Sequence, residues 1–443
     1  MKKIIAIIIY ACIFSFSGYG QWKQDKFILG TFYDPQVKDC KLDTAAYISL
    51  LKGVKNCNLE LLTGVDGCYD FKFVAYKFKL LSQLGLKGLQ INLSSSKKNG
   101  VDFNAAQAAD WLKFVSGFDA QQRSAFYGYF VYDEPLPKDA AAIRKWMAFV
   151  KTKDPGKLAY LNLLPVYVFK TRQEYENYLD SYISPVNSPE TPDMISYDFY
   201  PFIQGGIKDN YFYNLYILRK KAAGRPLWGC VLTTKHREYT DVGPYQINFM
   251  VFAPVTYGFK GLLYFTYQTI VGSSMPFGAA MIADNKQPTN KYFQIQKINA
   301  FMRDVWGPIV MNSTSTGVYQ ISGQPYNQQP EDGETITAGT PLLAAVKNNN
   351  MTIGVFKSLV KNGEYNLMLF NKSAQTLKQV PIVLKNNLVS RVSLAVPYTN
   401  YRKGVKVFSP LKASYNSSSN TTTVYVDFQG GEGRVLKVSG VSY

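Results

Sequence analysis

The apolar run Tyr127-Gly128-Tyr129-Phe130-Val131-Tyr132 ends in Asp133-Glu134-Pro135. Two neighbouring carboxyls closing such a run are suited to proton transfer, because partial burial and a like-charged neighbour both raise the pKa of a carboxylic acid. Two roles compete for Glu134: general acid, or cap of a helix opening at Pro135, since acidic groups are favourable at helix N-termini. In an extended strand the pleat sends Asp133 and Glu134 in different directions. Two further carboxylates belong with them: Asp198 in Tyr197-Asp198-Phe199-Tyr200-Pro201, and Glu238 beyond Thr233-Thr234-Lys235-His236. Asp198 could equally orient Tyr200 or a loop backbone. His236 is the one histidine of the chain, so a zinc site or a histidine-dependent triad would rest on it alone. Neither is expected. No glycine-rich phosphate loop follows a strand, and the sequence calls for no metal and no cofactor.

These residues need elements to hold them. From Phe27 to about Gly307, short apolar or β-branched runs alternate with longer stretches of helical spacing, the βα pattern. The strand-like runs are Phe27–Tyr33, Asn58–Thr63, Gly88–Leu93, Tyr127–Tyr132, Leu158–Leu164, Met194–Phe199, Leu227–Thr233 and Gly261–Tyr267. Eight is the number that closes a parallel barrel, and functional groups then gather at the strands' C-terminal ends. Between the runs, Tyr47, Leu50, Leu51 and Val54, and likewise Ile143, Trp146, Met147 and Val150, form single apolar stripes. Ile298, Phe301, Met302 and Val305 do the same. Gly85, Gly224 and Gly258 stand where left-handed caps turn helices back into the sheet.

Beyond Pro308 the texture changes. Polar clusters separate alternating runs such as Thr352–Lys357, Tyr365–Phe370, Val380–Leu384, Thr422–Phe428 and Arg434–Val438, which reads as a β-sandwich. The expected division is a leader at 1–20, a (β/α)8 TIM barrel at 21–307 and an all-β sandwich at 308–443.

With Asp133-Glu134-Pro135 at the end of strand four, the sequence resembles secreted (β/α)8-barrel glycoside hydrolases of the clan whose general-acid glutamate ends that strand, often as Asn-Glu-Pro. Here Asp133 replaces the asparagine. The resemblance extends to the strand ending at Tyr197-Asp198-Phe199-Tyr200-Pro201, to the Gly258–Phe265 lead into strand eight and to the appended sandwich. It implies cleavage of O-glycosidic bonds in a polysaccharide or glycoconjugate, with Glu134 as acid. The family's second carboxylate ends strand seven; this chain has Thr233, Thr234, Lys235 and His236 there, which leaves Asp198, ahead of Glu238, as the second group. A separation of roughly 5 to 10 Å across a cleft would suit such a pair. The departure also admits a barrel that binds glycans without cleaving them.

Sugars offer apolar C–H faces and a rim of hydroxyls, so aromatic platforms and amide or carboxylate partners are expected at strand ends. Tyr33, Asp34, Asp66, Asn92, Asn162, Tyr200, Tyr267 and Gln268 occupy such positions, with Asp133 beside the acid and Tyr69 further along the second loop.

The chain's 443 residues, 47% of them apolar, can build a large core with a smaller companion. Its net charge of +18 is spread over short lysine pairs; without a recognition motif it implies no nucleic-acid partner. Lys2 and Lys3, the apolar run Ile4–Phe16 and Gly18-Tyr19-Gly20 have the order of a secretory leader, so a mature chain beginning near Gln21 is expected outside the cytoplasm or in the periplasm. Ala11-Cys12 is weakly like a lipoprotein site, a lesser alternative. No other run is long enough to span a membrane. In an oxidising compartment Cys40 and Cys68, after strands one and two, can pair, while Cys57 belongs near the opposite end.

Overall fold

The structure, a computed structural model, describes residues 21–37, 40, 44–91, 96–97, 100–320, 332–337, 339–348 and 350–441. The leader and Asn92 lie outside the described residues. Eight parallel strands close a barrel in sequential order: β1 (Ile28–Thr31), β2 (Leu61–Leu62), β3 (Lys87–Ile91), β4 (Phe126–Asp133), β5 (Leu158–Leu163), β6 (Ile195–Tyr197), β7 (Leu227–Leu232) and β8 (Gly261–Phe265). Among the described residues these helices alternate with them: α1 (Thr44–Asn56), α2 (Phe71–Leu84), α3 (Ala105–Ser116, followed by the short helix Ala120–Ala125), α4 (Ala140–Lys153), α5 (Arg172–Ile183), α6 (Tyr211–Lys221), α7 (Pro244–Thr256) and α8 (Asn290–Phe301). β2 keeps two residues of an expected six because the chain leaves the ladder as soon as Leu61 and Leu62 have paired with Thr31, Gly30 and Gly88.

The apolar stripes face inward as their spacing requires. Ile143, Trp146, Met147 and Val150 of α4 are all buried, and Gly85, Gly224 and Gly258 adopt φ of 67°, 85° and 89°, a region favourable only to glycine. β4 lies unusually close to β5: a Cβ on Gly128 would fall 2.1 Å from the Leu158 carbonyl oxygen. The barrel interior is a column of rings. Trp22 packs edge-on to Trp228 at 6.5 Å, Trp228 meets Tyr160 at 5.9 Å, Tyr160 meets Phe130 at 4.8 Å and Phe130 meets Phe32 at 5.9 Å. This column fills the barrel below its C-terminal mouth and keeps water from entering from beneath.

The chain passes through Gly307–Met311 into two antiparallel sheets. β9 (Ser313–Gln320), β11 (Met351–Ser358), β12 (Tyr365–Asn371), β18 (Gly433–Val438), β14 (Val392–Ala395) and β15 (Phe408–Pro410) form one in that order. β10 (Leu343–Val346), β13 (Leu377–Lys385), β17 (Thr421–Phe428) and β16 (Ala413–Asn416) form the other. Their facing side chains make a core of their own, with Leu367, Leu369, Ile382, Val424 and Leu436 fully enclosed. The six-stranded sheet also packs on the barrel through α7, whose residues Ile247–Thr256 are all buried. Among the described residues no helix is long and apolar enough to cross a membrane.

Cys40 and Cys68 form a disulfide. It ties the loop after β1 to the loop after β2. Cys57 and Cys230 are buried thiols.

Candidate active site

The acid pair of β4 does not follow a regular pleat. The β4–β5 register shifts between Phe130 and Tyr132, and Glu134 takes φ 50° with its N–H donating to the Asn162 carbonyl at 2.9 Å. A bulge followed by a left-handed residue re-aims side chains. Asp133 and Glu134 consequently do not diverge, as a straight strand would make them; both join one cluster at the mouth. Nor does Glu134 cap the following helix. A 3-10 turn, Pro137–Asp139, leads into α4, and within it the Asp139 carboxylate accepts from the Leu136 N–H at 2.9 Å.

Asp198, just beyond β6, is a near neighbour of Glu134, and the two carboxyls influence each other's titration. The Asn162 amide, at the end of β5, donates to Asp198 Oδ1 at 2.9 Å and to Asp133 Oδ1 at 3.1 Å. Its carbonyl oxygen accepts from Ser196 Oγ at 3.0 Å, and Ser196 Oγ lies 2.8 Å from the Tyr160 hydroxyl. Ser196 gives its hydrogen to Asn162, so Tyr160 must donate to Ser196. This directed chain leaves the amide one orientation, with both N–H groups on carboxylates. Tyr160 and Asn162, and Ser196 and Asp198, are spaced by two, so the pleat brings each pair to the same face.

Asp133 and Glu134 keep solvent-accessible surface yet are hemmed in by protein, as groups in a recess are. Burial and then the charge of Glu134 push Asp133 up to about 7, against the lowering effect of Asn162. Burial also raises Glu134, and burial with the charges of Glu134 and Asp133 raises Asp198. Asp198 and Glu134 therefore hold a proton above the ordinary carboxylate range, and that titration belongs to both groups. Asp198 thus belongs to the same cluster as Asp133 and Glu134, tied to Asp133 through the Asn162 amide.

Aromatic side chains from three further loops border this cluster. Tyr200 stacks on Phe265 at 5.8 Å and 24°, and Tyr33 meets Phe265 edge-on at 6.1 Å. His236 is buried among rings, stacked on Phe277 at 5.2 Å and 4.9 Å from Tyr239; burial lowers its pKa. The Tyr167 and Tyr239 hydroxyls are 3.1 Å apart. Phe265, Phe277, Tyr167 and Tyr239 were not among the residues singled out from sequence. The signal available for Phe265 was its place at the C-terminal end of strand eight, where functional groups gather.

Several rim candidates lie beneath the surface. Asp34 is 1% exposed and accepts from the N–H groups of Thr63 at 3.1 Å and Gly64 at 2.6 Å and from the Thr31 hydroxyl; burial raises it to about 7. Asp66 is enclosed with Lys77 at 2.7 Å and also accepts from the Cys68 N–H. Tyr267 is enclosed, its hydroxyl donating to the Leu50 carbonyl at 3.2 Å. Gln268 is 2% exposed and receives the Gln36 N–H. These four are enclosed, and the bonds just given hold the rim loops in shape. Asn162 is likewise enclosed and acts through the carboxylates. Glu238 is exposed and held by Lys208 at 2.9 Å, which keeps its carboxylate below the usual range; it does not join the cluster. Tyr69, 42% exposed, remains at the surface. Among the described residues no group of three histidine, cysteine or acidic side chains is placed to hold a metal ion.

No protein-family model and no curated protein matches the sequence. Solved structures do match its fold. A β-galactosidase from Bacillus circulans sp. alkalophilus aligns over 94% of this chain and 99% of its own at 8% identity, with a TM-score of 0.59. A family 39 glycoside hydrolase from Bacteroides cellulosilyticus WH2 aligns over 93% and 80% at 10% identity, with a TM-score of 0.50. A β-galactosidase from the haloarchaeon Halorubrum lacusprofundi aligns at 12% identity and a TM-score of 0.46 over 62% of this chain; this chain spans 57% of that one's length. At such identities the likeness is one of fold: a closed (β/α)8 barrel followed by antiparallel sheets, an architecture for which solved glycoside hydrolases are the structural neighbours.

Proposed function

We propose that the chain is an exported glycoside hydrolase that cleaves O-glycosidic bonds of a polysaccharide or glycoconjugate, with Glu134 as general acid. The observation that carries this reading is the carboxylate cluster at the mouth of the barrel, where the Asn162 amide bonds Asp133 and Asp198 and the Asn162 carbonyl accepts the Glu134 N–H. Glu134 gives its proton to the glycosidic oxygen as that oxygen leaves the anomeric carbon. The remaining negative charge of the cluster stabilises the positive charge that develops on the sugar ring, where a recessed site makes fixed charges most effective. Water adds to the anomeric carbon and its proton returns to the carboxylates. Tyr200, Phe265 and Tyr33 supply apolar faces for the ring.

The alternative is a glycan-binding barrel without turnover. The observation favouring it is the end of β7, where Thr233 and Thr234 are buried and no carboxylate stands. One experiment separates the two: reducing ends released from a polysaccharide panel by the intact protein and by Glu134→Gln, with folding checked by circular dichroism. Hydrolysis by the parent and a loss of about a thousandfold or more in the variant supports the enzyme. Full hydrolysis by a folded Glu134→Gln overturns it, and binding without release of ends favours the alternative.

A further inference from the structure

The segment after β7 carries three basic types in a row, Lys235, His236 and Arg237, and it is firmly seated. Gly278 N–H donates to the Lys235 carbonyl at 2.8 Å, Thr234 Oγ1 donates to the Gly278 carbonyl at 2.6 Å and Lys291 Nζ reaches the Thr233 carbonyl at 2.9 Å. His236, packed among rings, anchors the middle of the segment, and the side chains on either side of it, Lys235 and Arg237, are exposed. Arg237 holds φ 47°, a conformation unfavourable to a non-glycine residue and kept where the surroundings impose it. Its guanidinium forms no ion pair among the described residues, its Nε approaching only Met275 Sδ at 3.3 Å. Its charge nonetheless reaches Glu134, whose pKa it lowers. Lys208 adds a third cation, lying 3.8 Å over the Tyr167 ring, and only this one is matched by an acid, Glu238.

We propose that the substrate is an anionic glycan, bearing uronate or sulfate groups, and that Arg237 reads its charge with Lys235 in support. The proposal rests on the reading of the Glu134 mouth as a sugar site. A guanidinium presents a planar fork of donors that pairs with a carboxylate or a sulfate through two parallel hydrogen bonds. Placed on a seated loop beside the acid, it sets the register of a charged saccharide across the mouth. The rival account is that Arg237 merely offsets the carboxylates. In that case its removal would alter all substrates alike.

The test uses the full chain carrying Glu134→Gln, with and without Arg237→Gln, on arrays of oligogalacturonate, its neutral methyl ester, sulfated chondroitin, its desulfated counterpart and neutral hexose oligomers. The expected result is preferential binding of a charged member over its neutral counterpart, weakened about tenfold or more by Arg237→Gln and by raised salt. Uronate and sulfate are told apart by which pair shows the preference. Preference for a neutral glycan, no binding of any charged one, or equal weakening of charged and neutral ligands by Arg237→Gln overturns the proposal. Incubating the intact chain with the charged glycan it binds tests hydrolysis separately: selective binding without cleavage leaves the charge reading standing and removes the enzymatic one.

Discussion

Asn162 is the residue on which Asp133 and Asp198 converge, and its two donors lower the pKa of both. Replacing it with alanine removes those bonds, so both aspartates titrate higher and the shared proton is retained to higher pH. Because the acid must be protonated to act, activity falls as pH rises through the pair's raised pKa. In Asn162→Ala the alkaline limb of kcat/KM should therefore move upward while kcat drops about a hundredfold through lost positioning. Ser196→Ala should move the limb in the same direction by less. Rate–pH profiles of the two variants check this, and a profile unchanged in shape would assign Asn162 to stability alone. The pairs Tyr160/Asn162 and Ser196/Asp198 were legible in the sequence as residues two apart on neighbouring strands. The convergence of Asp133 and Glu134 was not, because it depends on a register shift against β5 and on one left-handed residue, neither of which a composition of tyrosines and valines announces. The burial of Asp66 and Asp34 was not legible for a similar reason: Asp66 is met by Lys77, which arrives from α2, and Asp34 by the backbone of Thr63 and Gly64.

The elements themselves were the most readable level. Eight apolar runs are eight barrel strands, since a strand covered on both faces has a continuous apolar signature that loops lack. The glycine caps followed from the need for positive φ. His236 shows where element reading stops; its partners Tyr200, Tyr239, Phe265 and Phe277 come from segments separated by up to some forty residues, and spacing carries no trace of them. At this scale the disulfide makes a prediction. Cys40–Cys68 spans 28 residues of sequence and closes a loop holding α1 and β2, so a Cys40→Ser/Cys68→Ser chain should be less stable by about 3 to 4 kcal/mol by loop-closure entropy. Denaturant melts with and without reductant check it: reductant should lower the parent's midpoint toward the variant's and leave the variant's where it is.

For the molecule as a whole, the decisive contact is between the barrel and its β-rich companion. Phe249 meets Phe370 at 5.3 Å, Phe252 meets Tyr398 at 5.8 Å and Trp306 meets Phe356 at 4.9 Å. Gly354 lets the sheet lie on α7, where a Cβ would fall 2.1 Å from the Thr256 carbonyl. Lys372 is enclosed near this contact, and burial lowers its pKa to about 7 despite Asp332. A lysine whose folded pKa lies below its unfolded value of 10.5 binds fewer protons folded than unfolded between the two. Stability from this group is therefore fully present above about pH 10.5 and lost as pH falls through about 7. The melting temperature of the parent should climb, relative to Lys372→Met, as pH is raised from 7 toward 10. Parallel melting curves for the two chains across that range would contradict this account.

α7 has no side left for water, its apolar surface being divided between the barrel's strands and the companion sheet. The companion is for that reason no detachable accessory. A gene fragment cut at Gly307 should yield clumped protein, and recombination that trades the β-rich module for a foreign one must bring along a new α7 to match. Barrel and sheets should therefore be exchanged only as one cassette.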